Sequence, residues 1–322
     1  MYKVIMAPTE GSDIEKGAIS AAVKLAQRFD ADLRLVRVQT APLVIEMVPR
    51  PPVLEITEQT LLDERLARLH KLEALGTELR SLGHIRVITA LEDGLVAPTL
   101  RDYAKEFNVD LIVMSSHSRG GLKRVTLGSV TDYLIRNTHI PVLVVKPPGS
   151  FIGATSGETV GPIVVPLDGS ALAEQILPEV AALALRLDAT VNLLQVLSPL
   201  TSSQERIMQP GLPRGEADIA GADAYLSGPA GYLAKEGLTV SKDVILSDSV
   251  ASAILDYAAR MRADLIAIAT SGSGGMSRFV FGTVADEVTR KSPTSLLVFH
   301  PKPEAATRDA PEASEARTLA DA

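Results

Sequence analysis

Two short stretches carry the residues best suited to chemistry: Gly128-Ser129 and Gly282-Thr283, each directly ahead of a run with helical spacing. A glycine and a small hydroxyl residue at a helix start leave backbone N–H groups open to an anion. The helix dipole and the hydroxyl add to that attraction. The chemistry favours phosphate, although a lone Gly-Ser is more often a plain helix cap. Here each pair closes a loop that opens on a Ser/Gly-rich run, with Ser115, Ser116 and Ser118 in one case and Ser271, Gly272 and Gly274 in the other. A second pair of loops places one carboxylate beside a glycine. They run from Pro8 through Glu10 and Gly11 to Ser12, and from Pro166 through Asp168 and Gly169 to Ser170.

Other chemistries are poorly provided for. With no cysteine, thiolate metal sites, disulfides and thiol nucleophiles are excluded. The five histidines (His70, His84, His117, His139, His300) show no metal-ligand spacing. No Walker A motif occurs, and Gly272-x-Gly274-Gly275 leaves the dinucleotide fingerprint incomplete. His117 lies in the first loop, but Ser271 answers it in the second, so a required catalytic histidine is not indicated. Arg119, Lys123 and Arg124 add positive charge near a phosphate or simply face solvent. Leucines at helical spacing between Asp63 and Glu73 read as ordinary amphipathic helix. No paired carboxylates and no general base are apparent.

These loops recur because the chain is a repeat. Residues 111–147 align without a gap on residues 265–301, with 12 of 37 positions identical. The starts match as well, Pro8 to Ser12 against Pro166 to Ser170. At 322 residues the chain has room for two domains, predicted at 1–147 and 162–301 with a Gly/Pro-rich linker at 148–161. An Ala-, Pro- and acid-rich tail at 302–322 reads as disordered. A net charge of −7 argues against nucleic-acid or anionic-membrane partners. No apolar run approaches a membrane span, and the N-terminus lacks a signal peptide's core, so a cytoplasmic location is expected.

Around the loops, short β runs alternate with longer helical stretches. In copy one, strands are predicted at 3–7, 33–38, 85–90, 111–114 and 142–145. Helices are predicted at 12–29 (opened by a Ser12-x-x-Glu15 capping box), 58–82, 96–107 and 130–137, with a Pro-rich loop at 42–52. Copy two repeats the strands at 163–166, 190–196, 239–246, 265–269 and 295–299, with a Gly/Ala-rich helix at 217–236. This is an α/β pattern of two tandem doubly wound five-stranded parallel-sheet domains, Rossmann-like, with ligands expected beyond the carboxyl ends of the strands. The closing runs at 142–145 and 296–299 would be apolar edge strands, which are a pairing liability.

Order, spacing and duplication together identify a family resemblance. Each copy resembles the universal stress protein domain, and the whole resembles a tandem member over about residues 1–147 and 161–301. In that family's nucleotide-binding branch the loop after the fourth strand reads G-x-x-G, nine residues, then G-[S/T]. Copy one has Ser115-x-x-Ser118, nine residues, Gly128-Ser129; copy two has Ala269-x-x-Gly272, nine residues, Gly282-Thr283. The resemblance implies an adenine-nucleotide alpha-hydrolase-like fold and ATP or AMP as ligand, with Mg2+ as an accompanying ion. It places Asp168 against adenine, with Glu10 in its stead in copy one, and Val38 and Val196 in the base pocket beside Pro8 and Pro166. The first motif position lies by the ribose. Gly128, Ser129 and Val130, and Gly282, Thr283 and Val284, would hold the phosphates. Serines at 115 and 118 put side chains where the family's glycines let backbone meet ligand, whereas copy two loses only the first glycine, to Ala269. Copy two therefore ranks first, and copy one is a modified site or a structural remnant. The resemblance further implies that the closing strands pair as an intrachain pseudo-dimer and leaves room for a homodimer.

Three functions remain in play. The first is an adenine-nucleotide-binding stress-response regulator with little or no turnover. The second is an interaction scaffold whose loops are vestigial. The third, an ATP pyrophosphatase, would need a Ser-Gly-Gly-x-Asp-Ser loop that Thr9 to Asp13 only faintly resembles.

Overall fold

The computed structural model describes residues 2–40, 58–82, 85–116, 127–146, 160–198, 214–270 and 282–301. The Pro-rich loop at 42–52, all of the expected linker but Val160 and Gly161, and the tail at 302–322 lie outside these residues. In the first half, β1 (Val4–Pro8), β2 (Asp32–Gln39), β3 (Val87–Asp93), β4 (Leu111–Ser115) and β5 (Val142–Val145) alternate with α1 (Lys16–Phe29), α2 (Glu58–Ser81), α3 (Val96–Glu106) and α4 (Ser129–Asn137). The second half opens with β6 (Ile163–Pro166), α5 (Ala171–Glu174), α6 (Leu177–Leu187), β7 (Val191–Leu197) and α7 (Arg214–Lys235). It closes with β8 (Val240–Leu246), α8 (Val250–Arg260), β9 (Leu265–Ala269), α9 (Thr283–Lys291) and β10 (Ser295–Phe299).

Each half is a parallel sheet wound outward in both directions from its first strand. The apolar runs are nearly continuous because both faces are covered by helices. Leu111 and Val113 pack into the core on one face, while Ile112 and Met114 pack on the other; Leu265 and Ala267 oppose Ile266 and Ile268 in the same way. The repeat extends to the backbone. Asp30 and Asp188 end α1 and α6 in the left-handed region at φ 53° each, and Asn108 and Arg262 match at 48° and 50°.

The two halves form one ten-stranded sheet, joined where β5 pairs antiparallel with β10. Val142, Leu143 and Val144 lie opposite Val298, Leu297 and Leu296, all buried. Strands that read as exposed edges in the sequence thus become the centre of the sheet, which removes the pairing liability. Helices support the seam on both faces. On one, the Tyr2 hydroxyl donates to Glu179 at 2.6 Å and Arg28 donates to the Arg186 carbonyl at 3.0 Å. On the other, Arg136 of α4 bridges Asp132 and Asp286, and Arg290 of α9 bridges the same two carboxylates.

Two local expectations need correction, and a third element forms where expected. The Ser12-x-x-Glu15 capping box does not form: Asp13–Glu15 is a 3-10 turn, the Ser12 side chain caps nothing, and Glu15 faces back toward Thr9. The apolar stripe of α2 is buried only toward its end. Leu72 and Leu79 pack, but Leu66 and Leu69 stay exposed. The Gly-rich helix of the second half forms over 22 residues in spite of Pro229, because Ala222, Leu226 and Leu233, at helical spacing, are buried in the core. Among the described residues no helix is long and apolar enough to cross a membrane.

Candidate functional site

In each half, β1 and β4 (or β6 and β9) end side by side, so their following loops meet at the point where the winding reverses. The turn after the first strand requires positive φ at Gly11 (82°) and Gly169 (86°), a conformation costly for any residue with a Cβ. The strand-four loop closes on a backbone bond. Gly128 donates its N–H to the Ser116 carbonyl at 2.9 Å, and Gly282 donates to the Thr270 carbonyl at 2.7 Å. Both glycines are helix N-caps in extended conformation, so the opening turns of α4 and α9 present their first amides at this end of the sheet.

In the first half these elements enclose a cavity of about 340 Å³, within the range of small-molecule sites. Pro8, Glu10, Val38, Ser115, Gly128 and Val130, all singled out from sequence, line it. Ser129, the first residue of α4, is exposed beside it. Ser118 and Gly272 lie outside the described residues. The sequence missed Glu15, Arg37, Arg68 and Thr131, which also line the cavity. Arg68 reaches it from α2, held by the Gln39 amide oxygen at 3.2 Å and by Glu64 at 2.8 Å. A long-range packing of α2 on β2 places it there, and no motif in the sequence announces that.

Glu15 organises the loop. It is buried, and its carboxylate accepts from the Thr9 hydroxyl at 2.8 Å, the Glu10 amide at 3.0 Å and the Gly11 amide at 3.2 Å. Three donors on one carboxylate hold the turn shut. Replacing Glu15 with alanine would leave these donors unpaired, and urea unfolding should show a loss of roughly 2 kcal/mol, with Glu15→Gln recovering part of it. Unchanged stability in Glu15→Ala would show that water satisfies the turn equally well.

The second half builds the same loop differently. Asp168 accepts from the Ser170 amide at 3.0 Å and hydroxyl at 2.6 Å, and Ser170 in turn caps Ala173 at 3.1 Å. Ala173 stands where the first half has Glu15, and a serine cap does the work of the buried carboxylate. Pro166, Val196, Gly282 and Val284 are partly buried at this end of the sheet, Ala269 is buried, and Asp168 and Thr283 are exposed. Gln195, the counterpart of Arg37, lies against the Gly169 turn. Its side-chain oxygen is buried with no hydrogen-bond partner among the described residues. A buried unpaired acceptor next to Val196 suits a ligand that brings a hydrogen-bond donor.

Electrostatics at this end of the molecule is set by burial. Lys146, following β5, is only 5% exposed, and burial lowers its pKa to about 8. Its counterpart His300, following β10, is held below the ordinary histidine range by burial and by the nearby His139. Among the described residues no group of three or more acidic, histidine or cysteine side chains could hold a metal ion.

Comparisons with known proteins identify the family. A family model described as the universal stress protein family matches residues 1–146 and 159–300. A universal stress protein of Methanocaldococcus jannaschii is 34% identical over 149 residues, covering 46% of this chain and 84% of its own. A universal stress protein of Mycobacterium tuberculosis is 26% identical over 234 residues, 70% of this chain and 72% of its own. The crystal structure of a universal stress protein from Archaeoglobus fulgidus superposes with a TM-score of 0.62 at 16% identity, covering 92% of this chain and 96% of that one, a likeness of fold.

Proposed function

The chain belongs to the universal stress protein family, and from that premise we propose that it is a stress-response regulator binding an adenine nucleotide, ATP or AMP, with little or no turnover. The nucleotide lies at the ends of the first and fourth strands of each half. The observation that carries this reading is the first-half cavity, bounded by the strand-one turn on one side and the start of α4 on the other. The base packs by Val38, and the phosphates meet Gly128, Ser129 and Val130. In the second half Asp168, Val196 and the Gln195 oxygen receive the base, and Gly282, Thr283 and Val284 receive the phosphates. Asp168 and the retained Gly272 favour that half as the tighter site.

Little turnover follows from the donor set. Phosphate would meet backbone amides and hydroxyls, and Glu15, the buried carboxylate nearest the first-half site, already accepts three hydrogen bonds. A general base needs a lone pair of its own free to accept the proton of the attacking water.

Purifying the protein without added ligand, denaturing it and identifying what is released by chromatography and mass spectrometry tests the reading directly. Release of ATP or AMP near two per chain is expected if both halves bind, and near one if the second half alone does. If nothing is released, ATP at 100 times its dissociation constant should still stabilise the fold by about 2.7 kcal/mol in a thermal shift. No nucleotide and no shift would overturn the proposal in favour of an interaction scaffold.

A further inference from the structure

We propose that the two nucleotide sites are coupled through a histidine pair that crosses the seam, with His139 of the first half and His300 of the second acting as positioning residues for Gly282. The inference rests on the nucleotide reading above and adds to it a communication between sites.

Four contacts make the path. His139 follows the C-terminus of α4, the helix whose first residues border the first-half cavity. Its Nδ1 lies 2.9 Å from the His300 carbonyl, and as a carbonyl only accepts, that nitrogen carries the proton. The two rings stack with centroids 5.1 Å apart and planes within 21°. The Nδ1 of His300 is 2.6 Å from the Thr270 hydroxyl, and both residues are buried. Thr270 donates its amide to the Phe299 carbonyl at 2.9 Å, and its carbonyl accepts from the Gly282 amide at 2.7 Å. One end of the path is therefore the C-terminal end of α4, whose N-terminus borders the first-half cavity, and the other is the N-terminal end of α9, where phosphate would lie.

The helices themselves are tied. Arg136 and Arg290 each engage Asp132 and Asp286, so an axial shift of α4 on binding phosphate pulls on α9 as well as on His139. The mirror position is built differently. Lys146 stands where His300 does, and its ammonium donates to the Thr289 carbonyl near the end of α9 at 3.3 Å, while the Ser116 carbonyl still holds Gly128. A ring pair joins the halves at one end of the seam and a lysine caps a helix at the other.

Calorimetric titration of the full chain with ATP tests this. Gly128→Val closes the first site and reports the intrinsic affinity of the second. Comparison with the wild-type stepwise constants gives the coupling, expected at about fivefold or more. In His139→Ala the ratio should fall to one, and His139→Asn, which keeps a donor near the Nδ1 position, should restore it. His300→Ala, which leaves the Thr270 hydroxyl without its ring-nitrogen partner, should lose most of it. As a spectroscopic check, the His139 ring resonances should shift when ATP fills only the second site of Gly128→Val. Equal, independent sites in the wild type, or a ratio untouched by His139→Ala, would overturn the coupling and leave the nucleotide reading standing. A wild-type chain that takes up no nucleotide, or only one, would overturn the coupling as well, and no uptake at all would remove the functional reading with it.

Discussion

Gly282→Val should lose at least 100-fold in ATP affinity at the second site, a difference of about 2.7 kcal/mol. The backbone there does not demand glycine, since φ is −60°. Space does. A Cβ on Gly282 would sit 3.3 Å from the Thr270 carbonyl oxygen, and that oxygen is held in place by the amide of Gly282 itself at 2.7 Å. The neighbour cannot retreat without breaking the bond that closes the loop. Valine then adds two methyls over the opening amides of α9, where phosphate would lie. Gly282→Ala, with one methyl, should cost less. Because a misplaced loop could lower affinity by unfolding, the thermal midpoint of each variant is read alongside. Undiminished affinity in Gly282→Val with Ser129→Ala added would refute the phosphate assignment.

Lys146→Met should stabilise the chain at neutral pH by about 2 kcal/mol. Burial holds the native ammonium at about 8 against an ordinary 10.5. That depression corresponds to roughly 3 kcal/mol of unfavourable charge burial, from which about 1 kcal/mol for the bond to the Thr289 carbonyl is lost in the variant. The sign with pH follows from proton counting. Between about 8 and 10.5 the unfolded chain binds the proton that the native chain has released, so wild-type stability gains from this group as pH rises through that window. The variant should lack that increment. Denaturant unfolding at pH 7 and pH 10 for both chains checks it. A variant less stable than wild type at pH 7, or the same difference between the chains at both pH values, would show that Lys146 is stabilised where it stands.

Much of this architecture is legible in the sequence because the central strands are buried on both faces and read as unbroken apolar runs. Leu111 to Met114 and Leu265 to Ala269 are of this kind, and the repeat between them fixes the topology twice over. The glycine-hydroxyl pairs are equally visible, since Gly128 and Gly282 sit directly at helix starts. What the sequence hid depends on contacts between distant residues. Ser12 and Glu15 have the spacing of a capping box, yet Glu15 finds three donors in the preceding turn and takes those instead. Arg68 and Gln195 enter the sites from a helix and a strand without any motif, placed only by how α2 and β7 pack.

The antiparallel join of β5 and β10 frees the molecule from a constraint that binds any pair of identical subunits. In a symmetric dimer a substitution near the axis appears on both sides at once, so each must suit two environments. With both halves in one chain, the positions on either side of the join mutate separately. Lys146 and His300 occupy equivalent places and differ, as do Glu15 and Ala173, and Arg37 and Gln195. The covalent link also makes the pairing independent of protein concentration, so dilution does not part the two halves. One half is then free to change while the other stays as it is, within a single ten-stranded sheet.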